Sequence, residues 1–176
     1  MKISALRALQ SVFTLTSLRW LFSLGGYLIV NFVYPRTIAS VPRTTKLHPT
    51  VILRQADNIK IGAHGLLNHG CVIQAGYEAA QVVLGEFVHC GPYVQFFAYD
   101  HRFDDLALPS IRQGYREADI IVSDDVWIGA GTVVLAGAFI AKGVVVGANS
   151  VVAGRLDVEY GIYVGSPARL VKKRGE

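Results

Sequence analysis

Cysteine is scarce in this 176-residue chain. Its two thiols, Cys71 and Cys90, stand in neither a metal-type nor a redox-type spacing, so no disulfide framework is implied and nothing requires an oxidising compartment. Charge is sparse as well. Only 17% of residues are Asp, Glu, Lys or Arg against 52% hydrophobic, which excludes a disordered chain and leaves ample material for a continuous core. Acidic residues are missing altogether before Asp57, while Lys2, Arg7, Arg19, Arg36, Arg43, Lys46 and Arg54 precede it. A segment of one sign can meet nucleic acid or an anionic membrane surface. No nucleic-acid-binding motif accompanies it, so no nucleic-acid partner is expected and peripheral membrane association is. Metal-type histidine spacing is absent too: His48, His64, His69 and His89 form no HxxxH or HxH pattern, and no metal site is expected.

A cleavage site is also lacking. Residues 12–33 are strongly apolar, and about 20 such residues can span a bilayer. Arg19, Asn31 and the Gly25-Gly26 pair interrupt the run, however, and no small-residue site follows a shorter apolar stretch as a signal peptide requires. The expectation is an uncleaved amphipathic helix in an apolar, basic extension over residues 1–46, then one compact domain over residues 47–176. A length prior of about 100–200 residues per domain accommodates both. The expected location is the cytoplasm, and two readings of the extension stand side by side: attachment to the inner membrane face, or a helix that caps the open end of the domain.

What the chain does have is a repeat of six. From Val122 it reads VSDDVW, IGAGTV, VLAGAF, IAKGVV and VGANSV, with Val122, Ile128, Val134, Ile140, Val146 and Val152 in register. Four residues after the first five leads come Val126, Thr132, Ala138, Val144 and Ser150, all small or β-branched. Two inward positions in six suit a short strand and a turn. A helix would want strong helix formers where this stretch is rich in Gly and Val. The same pattern starts at Ile61 and at Leu84, with a register slip between Ile73 and Leu84. Three sixes per coil make a three-faced prism of stacked parallel strands. Each buried aliphatic contributes about 1.5–3 kcal/mol, so the column holds the fold. Cys71 and Cys90 fall on inward positions and read as small buried hydrophobes.

The period breaks over residues 101–121, HRFDDLALPSIRQGYREADII, a polar excursion on an otherwise rigid scaffold. Such interruptions commonly carry function. Taken in order, YDHRFDD, VWIGAGTVV, VGANSVVA and GSPARLVKK resemble the hexapeptide-repeat acyltransferases, in particular the sugar and polysaccharide O-acetyltransferase branch, over about residues 47–174. The resemblance implies a left-handed parallel β-helix and acetyl-CoA as co-substrate. It places His101 as the general base that deprotonates an acceptor hydroxyl. Imidazole, with an ordinary pKa of about 6.5, suits that task at neutral pH. The backbone N–H of Ala130 falls where the family holds the oxyanion. Ala148, Ala153 and Gly154 fall where it lines the pantetheine arm, and Arg169 and Lys172 where it meets nucleotide phosphates, a task that suits Arg and Lys charge. Many relatives carry Thr-Lys in place of Ala153-Gly154, so a side-chain contact is missing there.

For the acceptor, the resemblance matches Asn68 to a position that hydrogen-bonds sugar hydroxyls. Glu78 is the nearest candidate for its acidic partner, and Trp127, with Tyr99 and Phe103, offers an aromatic surface; each of these residues reads equally as turn or packing. The family usually assembles as homotrimers with the site between subunits. Three functions follow: acetyl transfer to a sugar or glycan hydroxyl, N-acetylation of a nucleotide-linked amino sugar, or a non-catalytic trimeric scaffold. The histidine excursion and the GSPAR segment argue against the third. Amino-sugar enzymes often carry a preceding nucleotide-binding domain, and its absence from this sequence favours the first.

Overall fold

The computed structural model describes residues 14–176. The expected extension therefore falls in part, with Lys2, Arg7 and Val12, outside the described residues. The described part opens with α1 (Leu15–Leu28), runs on through a π-helical turn (Ile29–Val33) and ends in α2 (Tyr34–Ile38). Thr14 caps α1 by accepting the Ser17 N–H at 3.1 Å. Pro35 sits in the first turn of α2, where its missing N–H costs no hydrogen bond.

From residue 46 the chain winds as a prism. The first rungs are β1 (Lys46–Leu47) and β2 (Ile52–Arg54), followed by a full coil of β3 (Ile59–Ile61), β4 (Leu66–Leu67) and β5 (Val72–Gln74). The next coil is β6 (Val82–Leu84), β7 (His89–Cys90) and β8 (Gln95–Phe97). A hairpin of β9 (Tyr99–His101) and β10 (Tyr115–Glu117) then leaves the prism. Winding resumes with β11 (Ile120–Val122), β12 (Trp127–Ile128) and β13 (Val133–Leu135), then β14 (Phe139–Ile140), β15 (Val145–Val146) and β16 (Val151–Val152). It ends with β17 (Arg155–Leu156), β18 (Gly161–Val164) and the antiparallel β19 (Arg169–Lys173).

Three parallel sheets result. Sheet A runs β3-β6-β11-β14-β17, sheet B β1-β4-β7-β12-β15-β18 with β19 added, and sheet C β2-β5-β8-β13-β16. The fold is the left-handed parallel β-helix. The six lead aliphatics divide two to a face: Val122 opposite Ile140, Ile128 opposite Val146 and Val134 opposite Val152. Earlier coils extend the columns through Ile61 and Leu84 on sheet A, Leu67 and Cys90 on B, and Ile73 and Phe96 on C. All are buried. The polar members of the second inward row are satisfied in place: Thr132 donates to the Gly147 carbonyl at 3.1 Å, and Ser150 accepts from the Gly165 N–H at 3.0 Å. Both cysteines are fully buried, and desolvation pushes their thiols up, so they pack rather than react.

Glycine follows so many lead residues because adjacent coils touch there. A Cβ on Gly62 would lie 2.4 Å from the Gly85 carbonyl carbon, and one on Gly129 would lie 2.5 Å from the Ala148 nitrogen. The register slip is a longer corner: 23 residues separate Ile61 from Leu84 where 18 separate Val122 from Ile140, and the excess lies in residues 75–81. The open end of the prism is closed by residues 35–41. Pro35 and Ala39 are buried there, and Ile38 and Val41 pack on the core.

Candidate functional site

The chain leaves sheet C after Phe97 and returns to sheet A at Ile120, and between them β9 and β10 pair Tyr115 with His101, Arg116 with Asp100 and Glu117 with Tyr99. The excursion read from sequence as an aperiodic loop over 101–121 is thus an antiparallel ribbon at its base, and Ile120 and Ile121 already belong to the resumed coil. The ribbon's far turn is tied by Gln113, whose amide donates to the carbonyls of Asp105 and Leu108, both at 2.8 Å.

His101 is exposed at the end of β9. Its imidazole lies 4.7 Å from the Tyr115 ring, centroid to centroid. The neighbouring Asp100 carboxylate accepts the backbone N–H of His101 at 2.8 Å, fixing the main chain. Among the described residues no group hydrogen-bonds the imidazole ring. Below it opens a cleft of about 630 Å³ lined by Gln74, Tyr99, His101, Glu117, Leu135 and Ala153 among others.

Tyr77, Tyr99 and Tyr115 form an aromatic wall beside the cleft, of which Tyr99 itself lines it. Their ring centroids are 4.9 Å apart for Tyr77 and Tyr99, 5.1 Å for Tyr77 and Tyr115, and 5.2 Å for Tyr99 and Tyr115. Burial, with the Tyr77 hydroxyl 3.5 Å away, pushes the Tyr99 phenol up to about 12. Glu117 holds the wall together. Its carboxylate accepts the backbone N–H groups of Tyr77 at 2.6 Å, of Glu78 at 3.2 Å and of Ala79 and Ala80 at 3.3 Å. Partial burial alone would raise its pKa, but these four donors outweigh it and hold the carboxyl below its ordinary value.

The other sequence candidates lie in three places. Ala153 and Gly154 share a second concavity of about 260 Å³ with Arg155, Pro167, Ala168 and Arg169, so Ala153 borders both hollows. Asn68, Ala130 and Ala148 occupy the opposite edge of sheet C, at the corner it shares with sheet B. The Asn68 N–H donates to Cys90, Gly131 to Pro92, and Asn149 to the Ala130 carbonyl at 2.9 Å. Among the described residues the Ala130 N–H has no acceptor. Asn68 spends its side-chain oxygen on the His69 N–H at 2.8 Å, and its amide nitrogen is unused within the described chain.

Trp127 is on the outer face of sheet B, stacked on His89 with ring centroids 6.2 Å apart. Lys172 is exposed on β19 and donates to the Glu176 carbonyl at 2.8 Å. Glu78 is exposed in the 75–81 connection, where its backbone N–H, rather than its carboxylate, is used. One protomer therefore brings His101 and Ala153 to one cleft and leaves Asn68, Glu78, Trp127, Ala130, Ala148, Gly154, Arg169 and Lys172 outside it. Tyr77, Tyr115 and Glu117 were not foreseen. The period-two spacing of Tyr99 with His101 and of Tyr115 with Glu117 is the only trace the ribbon leaves in the sequence.

No family model matches the sequence. The chain is 32% identical over 122 residues to a Mycobacterium tuberculosis protein named as a probable acetyltransferase, a match covering 69% of this chain and 37% of that one. The chain spans between 37% and 61% of the length of the first curated relatives it matches. Among solved structures it resembles a maltose O-acetyltransferase of Clostridium difficile, at 26% identity and TM-score 0.70, over 81% of this chain and 73% of that one. It also resembles a hexapeptide-repeat acetyltransferase of Vibrio cholerae, at 25% identity and TM-score 0.73, over 88% of this chain and 90% of that one. These likenesses join a six-residue repeat, a prism of three parallel sheets and a histidine-bearing excursion after the second full coil, and by them the chain belongs to the hexapeptide-repeat, left-handed β-helix acyltransferase family.

Proposed function

We propose that the protein transfers an acetyl group from acetyl-CoA to a hydroxyl of a sugar or glycan precursor. The observation that carries this reading is His101 standing, with both ring nitrogens unengaged by the described chain, at the rim of a cleft that Ala153 joins to the Arg169 concavity. The imidazole takes the proton of the acceptor hydroxyl as its oxygen attacks the thioester carbon. The oxyanion that forms is held by the Ala130 N–H, with the pantetheine arm passing Ala148 and Ala153-Gly154 and the phosphates near Arg169 and Lys172. Collapse breaks the C–S bond; the imidazolium returns its proton to the leaving thiolate, giving the acetyl ester and free CoA. A maltose O-acetyltransferase among the structural relatives supports a sugar hydroxyl as acceptor.

His101 and Ala130 lie on opposite edges of sheet C, so we propose that the site is completed between neighbouring subunits of a homotrimer. The reading is tested by free CoA release from acetyl-CoA across glycans and nucleotide-linked amino sugars, for the protein and for His101→Ala. General-base loss is expected to lower turnover by about 10²–10⁴-fold while acetyl-CoA binding persists. Release with amino sugars alone would replace O- by N-acetylation. Undiminished turnover in the folded variant would remove His101 as base, and no acetyl-CoA binding by either protein would favour a scaffold.

A further inference from the structure

The helix α1 has no buried residue, although Leu15, Trp20, Leu21 and Phe22 are among its members and Phe22 is 81% exposed. Its apolar surface is not needed to seal the β-helix, because Pro35, Ile38, Ala39 and Val41 already close that end. Nor does α1 hang loosely. It continues through the π-helical turn into α2, and there the Arg36 guanidinium donates to the carbonyls of His48, Pro49 and Val51 at 3.2, 3.3 and 3.0 Å. The molecule thus carries a mounted apolar helix that no part of the described chain covers.

The helix is two-sided. Leu18, Leu21, Phe22, Gly25, Gly26 and Ile29 line one apolar hollow of about 420 Å³, while the helical period sets Thr16, Trp20, Ser23 and Tyr27 on the other side, where Tyr27 meets a hollow of the β-helix, and Arg19 on the flank between. No helix among the described residues is long and apolar enough to cross a membrane. A helix of this kind is suited to lie in the plane of an interface. The charge selects the partner. Seven basic residues and no acidic one precede Asp57, and Arg19, Arg43 and Lys46 are exposed. Two copies of such a segment repel each other, whereas an anionic lipid surface attracts each of them.

We propose that α1 lies in the headgroup region of an anionic phospholipid bilayer with the Leu18, Phe22 and Ile29 side inward, so that the β-helix stands on the membrane by its α2 end. The inference is independent of the acyl-transfer reading, and its test uses no substrate. The chain has two tryptophans, so the full-length protein carrying Trp20→Phe, Trp127→Phe and Phe22→Trp reports on position 22 alone. It is mixed with vesicles of phosphatidylcholine, with or without about one third phosphatidylglycerol. Expected are co-flotation and a blue-shifted tryptophan emission from position 22 on the anionic vesicles, at least tenfold weaker binding on the neutral ones, and release by high salt. Phe22→Glu is expected to lose binding at least tenfold while its melting temperature and oligomeric state stay unchanged. Failure to float on either lipid, equal binding to both, or flotation with the tryptophan at position 22 still in water would each overturn the proposal. Oligomer dissociation in Phe22→Glu without lipid binding would assign the face to a second copy instead.

Discussion

The carboxylate of Glu117 receives four backbone N–H groups from a segment that lies 37 to 40 residues earlier in the chain, and in doing so it lays Tyr77 against Tyr115, whose ring in turn meets His101. Replacing it by Gln keeps the shape but presents an NH₂ where the site needs only acceptors. Glu117→Gln is therefore expected to speed amide exchange at residues 77–80 and to lower kcat/KM by roughly 10–100-fold through misplacement of the base. Glu117→Asp should recover part of both. The pH dependence follows from the depressed pKa. The ionised, pinned form is favoured at every pH above the ordinary value of 4.5, and its contribution is lost as pH falls below that and through the native value. Exchange protection at 77–80 should thus hold at neutral pH, begin to fall below pH 4.5 and be gone once pH has passed through the depressed native value; a Glu117→Gln protein as protected at neutral pH as the parent would remove Glu117 as the pin. None of this was legible in the sequence. His101 stood out as a candidate because it opens a break in a repeat, whereas Glu117 sits inside that break and acts on residues in a second one, where no period remains to register either.

At the scale of the coil, sequence and structure agree where a single physical rule repeats. The inward rows of Val, Ile, Leu and Cys are readable because every six residues face the same interior, and a column of them is buried on each sheet. The corners obey a second rule that periodicity does not expose. Tyr93 and Tyr160 adopt left-handed backbone at φ 58° and 59°, and each ring lies over a glycine of the adjacent coil, Gly70 and Gly143. Bulky residues at such corners look like breaks in the pattern until the coil beside them is known. The touching corners give the prediction at this scale. Gly62→Ala puts a methyl group against the Gly85 backbone, far from His101 in the coil, and is expected to destabilise by about 1–3 kcal/mol through overpacking. Ile73→Ala, which empties a fully buried position, should cost about 2–5 kcal/mol. Thermal melts of the two variants measure both, and a Gly62→Ala protein as stable as the parent would show that the coils can part at that corner.

In the whole molecule the decisive fact is a separation. His101 projects from the edge of sheet C that leads to sheet A, and the free Ala130 N–H and exposed Ala148 lie on the edge shared with sheet B. On the proposed mechanism, a thioester carbon attacked beside His101 would have to place its oxygen on Ala130 of a neighbouring protomer, since β13 stands between the two edges within one chain. If two copies meet edge to edge, one supplies the base and the other the oxyanion donor. This can be tested by mixing defects. His101→Ala spoils the first edge and Ala148→Trp blocks the second, so each variant alone should be nearly silent. Co-expressed, they assemble some interfaces in which an intact His101 faces an intact Ala148 edge. Random assortment makes about one interface in four competent, so roughly a quarter of the parent activity should return. Sites contained within one protomer would leave the mixture as silent as its parts, because every chain in it then carries one of the two defects.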